Sequence, residues 1–104
     1  MTTLPIQNLW EKHLAEPFPA SLAAEEVDGI NLALLDGIAA GCISHFLTHE
    51  GRLGLRRTAT LGLAYRHVAV VARVLEGAAQ DYFLRLEDLA HEVLQSVRDA
   101  APEE

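Results

Sequence analysis

Cysteine, lysine and basic charge are all scarce in this sequence. It has one cysteine, Cys42, and one lysine, Lys12, and its eight basic residues stand against fifteen acidic ones for a net charge of −7. A lone cysteine excludes an internal disulfide, which fits a reducing compartment and fits a cysteine-poor exported protein almost as well. The acidic balance disfavours sequence-independent binding to nucleic acid or to anionic lipid, so we expect neither nucleic acid nor a membrane as a partner.

Long apolar runs, targeting signals and catalytic motifs are also missing. The uncharged stretch 37–47 is far shorter than the roughly 20 residues that cross a bilayer, and residues 1–5 lack the basic segment of a signal peptide. We therefore expect a cytoplasmic protein. The sequence contains no phosphate-binding glycine loop, no nucleophile elbow and no HExxH pattern, so we expect no enzymatic activity and no cofactor.

Apolar residues, by contrast, make up 50% of the 104 residues, which is enough for the core of one domain. Their spacing of three and four residues is typical of helices that face a core. We expect a single helical domain over 1–104. Its predicted parts are a short helix over 1–16, a stiff connector over 17–27, long helices over 28–50, 55–76 and 79–99, and an acidic tail over 100–104. The predicted fold class is all-α: an antiparallel three-helix bundle with an additional short N-terminal helix, four helices in total.

The helix predicted over 28–50 has almost no charge on any side. The stripe expected to face the core consists of Leu34, Leu35, Ile38, Ala39, Cys42 and Phe46, with Leu32, Ile43 and Leu47 beside it. A helix of this kind is usually buried on more than one side. Either the N-terminal helix with Phe18 covers the opposite side, or a second copy does, and we favour the homodimer. Its predicted interface residues are small: Gly37, Gly41, Ser44 and Thr48.

A cysteine and two histidines on the same helix form a candidate metal site. Cys42, His45 and His49 recur at i, i+3 and i+7, and both residue types ligate zinc and other transition metals. Cys42 and His49 lie about 10.5 Å apart along a straight helix, too far to share one ion. Only adjacent pairs can chelate, so further ligands would have to come from elsewhere. The alternative is a buried cysteine beside two helix-flank histidines, which we favour.

Arginines and aromatic residues offer weaker signals. The third helix and its leading loop carry Arg52, Arg56, Arg57, Arg66 and Arg73, which either contact phosphate groups or complement the acidic fourth helix. The aromatic side chains of Trp10, Tyr65, Tyr82 and Phe83 either line a ligand pocket or fill the core, and their spacing favours the core.

Asp36 is the one charged residue within the most apolar part of the chain. We expect it at the surface, because a half-buried carboxylate would need a partner such as Arg57, Arg66 or a histidine.

Two stretches of the chain resemble known sequences. Residues 27–36, continuing through 41–43, and residues 81–86 resemble small uncharacterised all-helical proteins of high-GC bacteria. The use of arginine in place of lysine and the abundance of alanine agree with such an origin. The resemblance implies a helical fold and carries no activity or site residue.

Together these features predict a non-enzymatic helical module for protein–protein interaction or regulation that associates with itself. The alternative is a bundle that binds a small molecule or a metal such as zinc through the Cys42, His45 and His49 side of the central helix.

Overall fold

Four helices and one short hairpin form the protein in a computed structural model that describes residues 4–100. The helices are α1 (Leu4–Leu14), α2 (Leu32–Thr48), α3 (Leu55–Val74) and α4 (Gly77–Ala100), and a single 3-10 turn spans Ala20–Leu22. Helix α3 packs along α4, α2 packs against both, and α1 lies against α4. This arrangement confirms the all-α bundle with a short N-terminal helix.

The chain between α1 and α2 differs from the predicted connector. Strands β1 (Glu26–Val27) and β2 (Ile30–Asn31) pair antiparallel across a turn in which Asp28 has φ of 53° and Gly29 has φ of 78°. Two central residues with positive φ are typical of the tight turn that an Asp-Gly pair favours. The prediction of a helix from residue 28 is therefore wrong, because residues 28–31 belong to the hairpin and α2 begins only at Leu32.

Helix α2 begins where the hairpin ends. The side chain of Asn31 accepts a hydrogen bond from the backbone N–H of Leu34 at 2.8 Å, so Asn31 is the N-cap. After Thr48 the chain turns through Glu50 and Gly51, both with positive φ, and the Gly51 N–H bonds the carbonyl of Phe46 at 2.9 Å. The described helix is thus shorter at both ends than the predicted 28–50.

The remaining bounds shift by a few residues. Helix α3 ends at Val74 and not at residue 76, because Leu75 is extended, and α4 begins at Gly77 and not at residue 79. Helix α4 continues to Ala100, the first residue of the predicted tail. Residues 1–3 of the predicted first helix and residues 101–104 of the predicted tail lie outside the described residues.

The core lies between α2, α3 and α4 and is closed at one side by α1. Its fully buried large side chains are Leu32, Ile43, Phe46, Leu61, Val68, Val71, Phe83, Leu86, Leu89 and Val93. Two residues of the predicted core stripe of α2 are not among the buried residues: Leu34 is 64% exposed and Ile38 is 38% exposed. Their assignment to the core was wrong. Because α2 is apolar almost all round, its own sequence does not fix which side faces its neighbours.

Candidate functional site

The side of α2 that points away from α3 and α4 is the main candidate site. Here this surface is called the outer face of α2, and it consists of Leu34, Gly37, Ile38, Gly41, Ser44 and Thr48. These positions lie within about 120° of one another on a helical wheel of 100° per residue. The partly exposed His45 falls within the same arc, towards the C-terminal end of the helix. Helix α1 packs on α4, and Phe18 packs against Tyr82 and Phe83 with ring centroids 5.5 and 6.3 Å away. Neither covers the outer face of α2.

The four predicted interface residues all lie on this outer face. Gly37, Gly41 and Thr48 are exposed and Ser44 is partly exposed. A Cβ atom added at Gly37 or at Gly41 would meet nothing within 4 Å. The Thr48 hydroxyl donates to the Ser44 carbonyl at 3.0 Å, so its hydrogen is already used within the helix. What the outer face offers a partner is therefore mainly close approach and apolar contact.

Leu34 and Ile38 complete this face, and the sequence analysis had assigned them to the core. They lie next to the glycines on the helix surface, so two bulky apolar side chains stand beside two positions without a side chain. The signal for them in the sequence was the lack of charge on every side of the helix, which leaves some apolar residues outside any single core contact.

The charged residue of α2, Asp36, does not lie on the outer face. Asp36 is the only Asp, Glu, Lys or Arg of the helix, and it is half-buried, with a carboxylate oxygen accepting a hydrogen bond from the Tyr82 hydroxyl at 2.7 Å. We had expected a surface Asp36, and that expectation was wrong. Its partner is the tyrosine and none of Arg57, Arg66 or a histidine. Burial raises the pKa of Asp36, and the hydrogen bond from Tyr82 lowers it in part.

A buried histidine lies on the other side of Tyr82. His13 of α1 is 2% exposed, its ring centroid is 4.5 Å from that of Tyr82, and neither ring nitrogen has a hydrogen-bond partner among residues 4–100. Burial, with a smaller contribution from the positive charge of Arg85, lowers the pKa of His13 to about 4. The ring is therefore neutral at pH 7 and behaves as part of the aromatic packing between α1 and α4.

The candidate metal ligands lie at the C-terminal end of α2. The rings of His45 and His49 stack with centroids 3.7 Å apart, and His49 Nδ1 lies 2.8 Å from the His45 carbonyl oxygen. Cys42 is buried, and its thiol donates to the carbonyl of Arg57 at 3.8 Å. Burial raises the pKa of Cys42, which keeps it a thiol. Desolvation lowers the pKa of His45, and the charges of Arg57 and His49 lower it further. Over the described range 4–100, no group of three or more His, Cys, Asp or Glu side chains is placed to hold a metal ion.

The arginines and aromatic residues that the sequence analysis singled out lie in different surroundings. Arg73 of α3 pairs with Glu87 of α4 at 2.8 Å, as expected for neighbouring helices of opposite charge. Tyr82 and Phe83 are buried in the core, whereas Trp10 and Tyr65 are partly exposed beside it.

Comparison with known proteins adds no assignment. No protein-family model matches the chain, and no curated protein and no solved structure matches it either. None of the helices within residues 4–100 has the length and apolar character needed to span a bilayer. The function must therefore be argued from the geometry.

Proposed function

We propose that this protein is a non-enzymatic helical interaction module that associates with a second copy of itself through the outer face of α2. The observation that carries the proposal is the exposure of Leu34 (64%) and Ile38 (38%) next to two open glycines, on the most apolar helix of the bundle. We place this association in the cytoplasm, because the reducing conditions there keep a free thiol such as that of Cys42 reduced.

The two glycines are the first argument for a close partner. A glycine inside a helix lowers the stability of the folded protein by about 0.5–1 kcal/mol relative to alanine. Within residues 4–100 of one chain no packing contact accounts for Gly37 or Gly41, since a Cβ at either position would meet nothing within 4 Å. A second helix lying directly on the outer face would make both glycines necessary, because a methyl group there would hold the two backbones apart.

Shape and charge favour a second copy as that partner. A two-fold axis through the outer face would set the Leu34 and Ile38 ridge of one chain beside the Gly37 and Gly41 depression of the other, which is the self-complementary contact of a symmetric dimer. The chain carries a net charge of −7, so two copies repel one another over most orientations. The outer face has no formal charge at neutral pH, and contact there brings no like charges together.

Burial of the exposed side chains supplies the driving force. Covering the exposed parts of Leu34 and Ile38 is worth on the order of 1–2 kcal/mol for each side chain, and a symmetric dimer covers both pairs. The close helix contact at the glycines adds packing on top of this.

A charge placed on the outer face tests the proposal. We expect sedimentation velocity at micromolar concentration to show a dimer for the wild type and a monomer for Leu34→Glu, because the new carboxylate would be buried without a partner. Val74→Glu is the matched control: Val74 is 58% exposed on α3, the charge change is the same, and the dimer should persist. A wild type that stays monomeric, or a Leu34→Glu variant that remains as dimeric as Val74→Glu, overturns the proposal.

The glycines give a second test with opposite effects on the monomer and the dimer. Gly41→Ala should raise the stability of the isolated chain by up to about 1 kcal/mol, since the methyl group has room and alanine favours helix. It should weaken the dimer, and Gly41→Leu should abolish it. A dimer unchanged in Gly41→Leu contradicts close packing at this position.

The stacked pair of His45 and His49 favours one alternative, a metal-binding bundle. Histidines at i and i+4 can place two nitrogens on one ion, and any further ligand would come from beyond Cys42, whose thiol faces Arg57. Metal analysis of protein purified without an affinity tag, together with its native mass, distinguishes the two. Stoichiometric zinc that is lost in His45→Ala supports the alternative.

A further inference from the structure

A groove between α3 and α4 lies on a different part of the molecule from the outer face of α2. Its volume is about 600 Å³, within the range of small-molecule sites. Helix α3 contributes Gly62, Tyr65 and Arg66, and α4 contributes His91, Leu94 and Arg98. The Tyr65 and His91 rings lie 6.0 Å apart, tilted by 36°, which forms an aromatic wall.

The charge of this groove is opposite to that of the chain. Two of the eight basic residues line it from opposite helices, and none of its lining residues is acidic. Arg66 and Arg98 make no ion pair or side-chain hydrogen bond with any residue of 4–100, whereas Arg73 on the same helix is paired with Glu87. Within residues 4–100, the one carboxylate bonded to a lining residue is that of Asp99, which accepts from Gln95 at 3.1 Å. Among the described residues, neither guanidinium group is therefore occupied by an acidic partner.

Gly62 keeps the groove open. Gly62 lies inside α3, where a glycine again lowers the stability of the folded protein by about 0.5–1 kcal/mol relative to alanine. A Cβ atom added at this position would meet nothing within 4 Å. A larger side chain at this position would fill the space next to Tyr65 and Arg66. The missing side chain thus leaves space in the groove that no other part of residues 4–100 fills.

We propose that the groove between α3 and α4 binds a small aromatic carboxylate, with Arg66 and Arg98 holding the anion and Tyr65 and His91 contacting its ring. Guanidinium groups bind carboxylates through paired hydrogen bonds. The side chains of Tyr65, His91 and Leu94 offer an apolar and aromatic surface that suits a ligand with one or two fused aromatic rings. The two arginines alone would also attract inorganic phosphate, so the aromatic wall is what selects the carboxylate.

Amide NMR titration with naphthoate tests this directly. We expect saturable shifts at Gly62, Tyr65 and Leu94, binding at least about tenfold weaker for the neutral naphthylmethanol, and a similar loss in Arg66→Gln, since a tenfold change corresponds to about one charged hydrogen bond. Arg56→Gln is the matched control, because Arg56 is exposed on α3 outside the groove. Inorganic phosphate should bind more weakly than naphthoate.

A second variant blocks the space without removing charge. Gly62→Leu should remain folded and lose naphthoate binding, while Leu34→Glu should bind as the wild type does, which keeps this test independent of self-association. Shifts that map elsewhere, equal binding of naphthoate and phosphate, or unchanged binding in both Arg66→Gln and Gly62→Leu overturn the proposal.

Discussion

His13 shows how one residue ties the stability of the fold to pH. It sits between α1 and α4, neither ring nitrogen has a hydrogen-bond partner within residues 4–100, and burial lowers its pKa from 6.5 to about 4. Between these two pH values the unfolded chain binds a proton at His13 and the folded chain does not. The free energy of unfolding therefore falls as the pH drops below 6.5, and the loss is complete near pH 4.

His13→Phe should remove this part of the pH dependence. The shift corresponds to at most about 3 kcal/mol, so urea unfolding should show the variant gaining up to that amount over the wild type as the pH falls from 6.5 to 4. The raised pKa of Asp36 acts with the opposite sign in both proteins and cancels in their difference. His67→Phe, which removes a histidine outside this cluster, is the control. An equal pH slope for the wild type and His13→Phe would contradict the assignment.

At the scale of elements, the hairpin and the N-cap decide where α2 begins. The Asp28-Gly29 turn reverses the chain, and β2 ends at Asn31, whose side chain caps the helix. The Leu32 N–H bonds the Glu25 carbonyl at 3.0 Å, so the hairpin also holds the first residue of α2. The start of the helix that carries the outer face is thus fixed by three local contacts.

Asn31→Ala should lower the free energy of unfolding by about 1 kcal/mol, because the Leu34 N–H loses its acceptor. Asn31→Asp keeps an acceptor at the same place, and its negative charge suits a helix N-terminus, so it should stay close to the wild type. Chemical denaturation of both variants checks this. Equal losses in the two variants would show that the cap contributes nothing.

At the scale of the whole molecule, thickness explains the exposed face. The protein measures 43 × 26 × 19 Å, and its smallest dimension holds about two layers of helices of 10–12 Å each. In a two-layer molecule every helix has one side outside the core. For α4 that side is largely polar, whereas α2 exposes Leu34 and Ile38 beside its two glycines and α3 exposes Leu55, Leu63, Val70 and Val74 among its arginines.

Net charge then predicts how salt acts on the dimer. Each copy carries −7 and the outer face carries no formal charge, so added sodium chloride should screen repulsion without weakening any ion pair at the contact. We expect the dissociation constant from sedimentation equilibrium to fall roughly severalfold between low and physiological ionic strength. A dissociation constant that rises with salt would mean that the copies meet through charged surfaces.

Periodicity and caps in the sequence were enough to predict the all-α bundle, its four helices and the outline of α3 and α4. Helix α4 shows why: its apolar residues lie on one side and its charged residues on the other, so Tyr82, Phe83, Leu86 and Leu89 face the core in any packing. The sequence also picked out Gly37, Gly41, Ser44 and Thr48 as one face, because helical spacing alone places them together.

The tertiary structure decided the rest. Helix α2 is apolar almost all round, so only its contacts with α3 and α4 put Leu32 and Ile43 inside and Leu34 and Ile38 outside. The Asp36–Tyr82 bond joins residues 46 positions apart, and the groove beside Gly62 needs side chains from two helices. Such pairings depend on how helices dock, which local spacing does not encode.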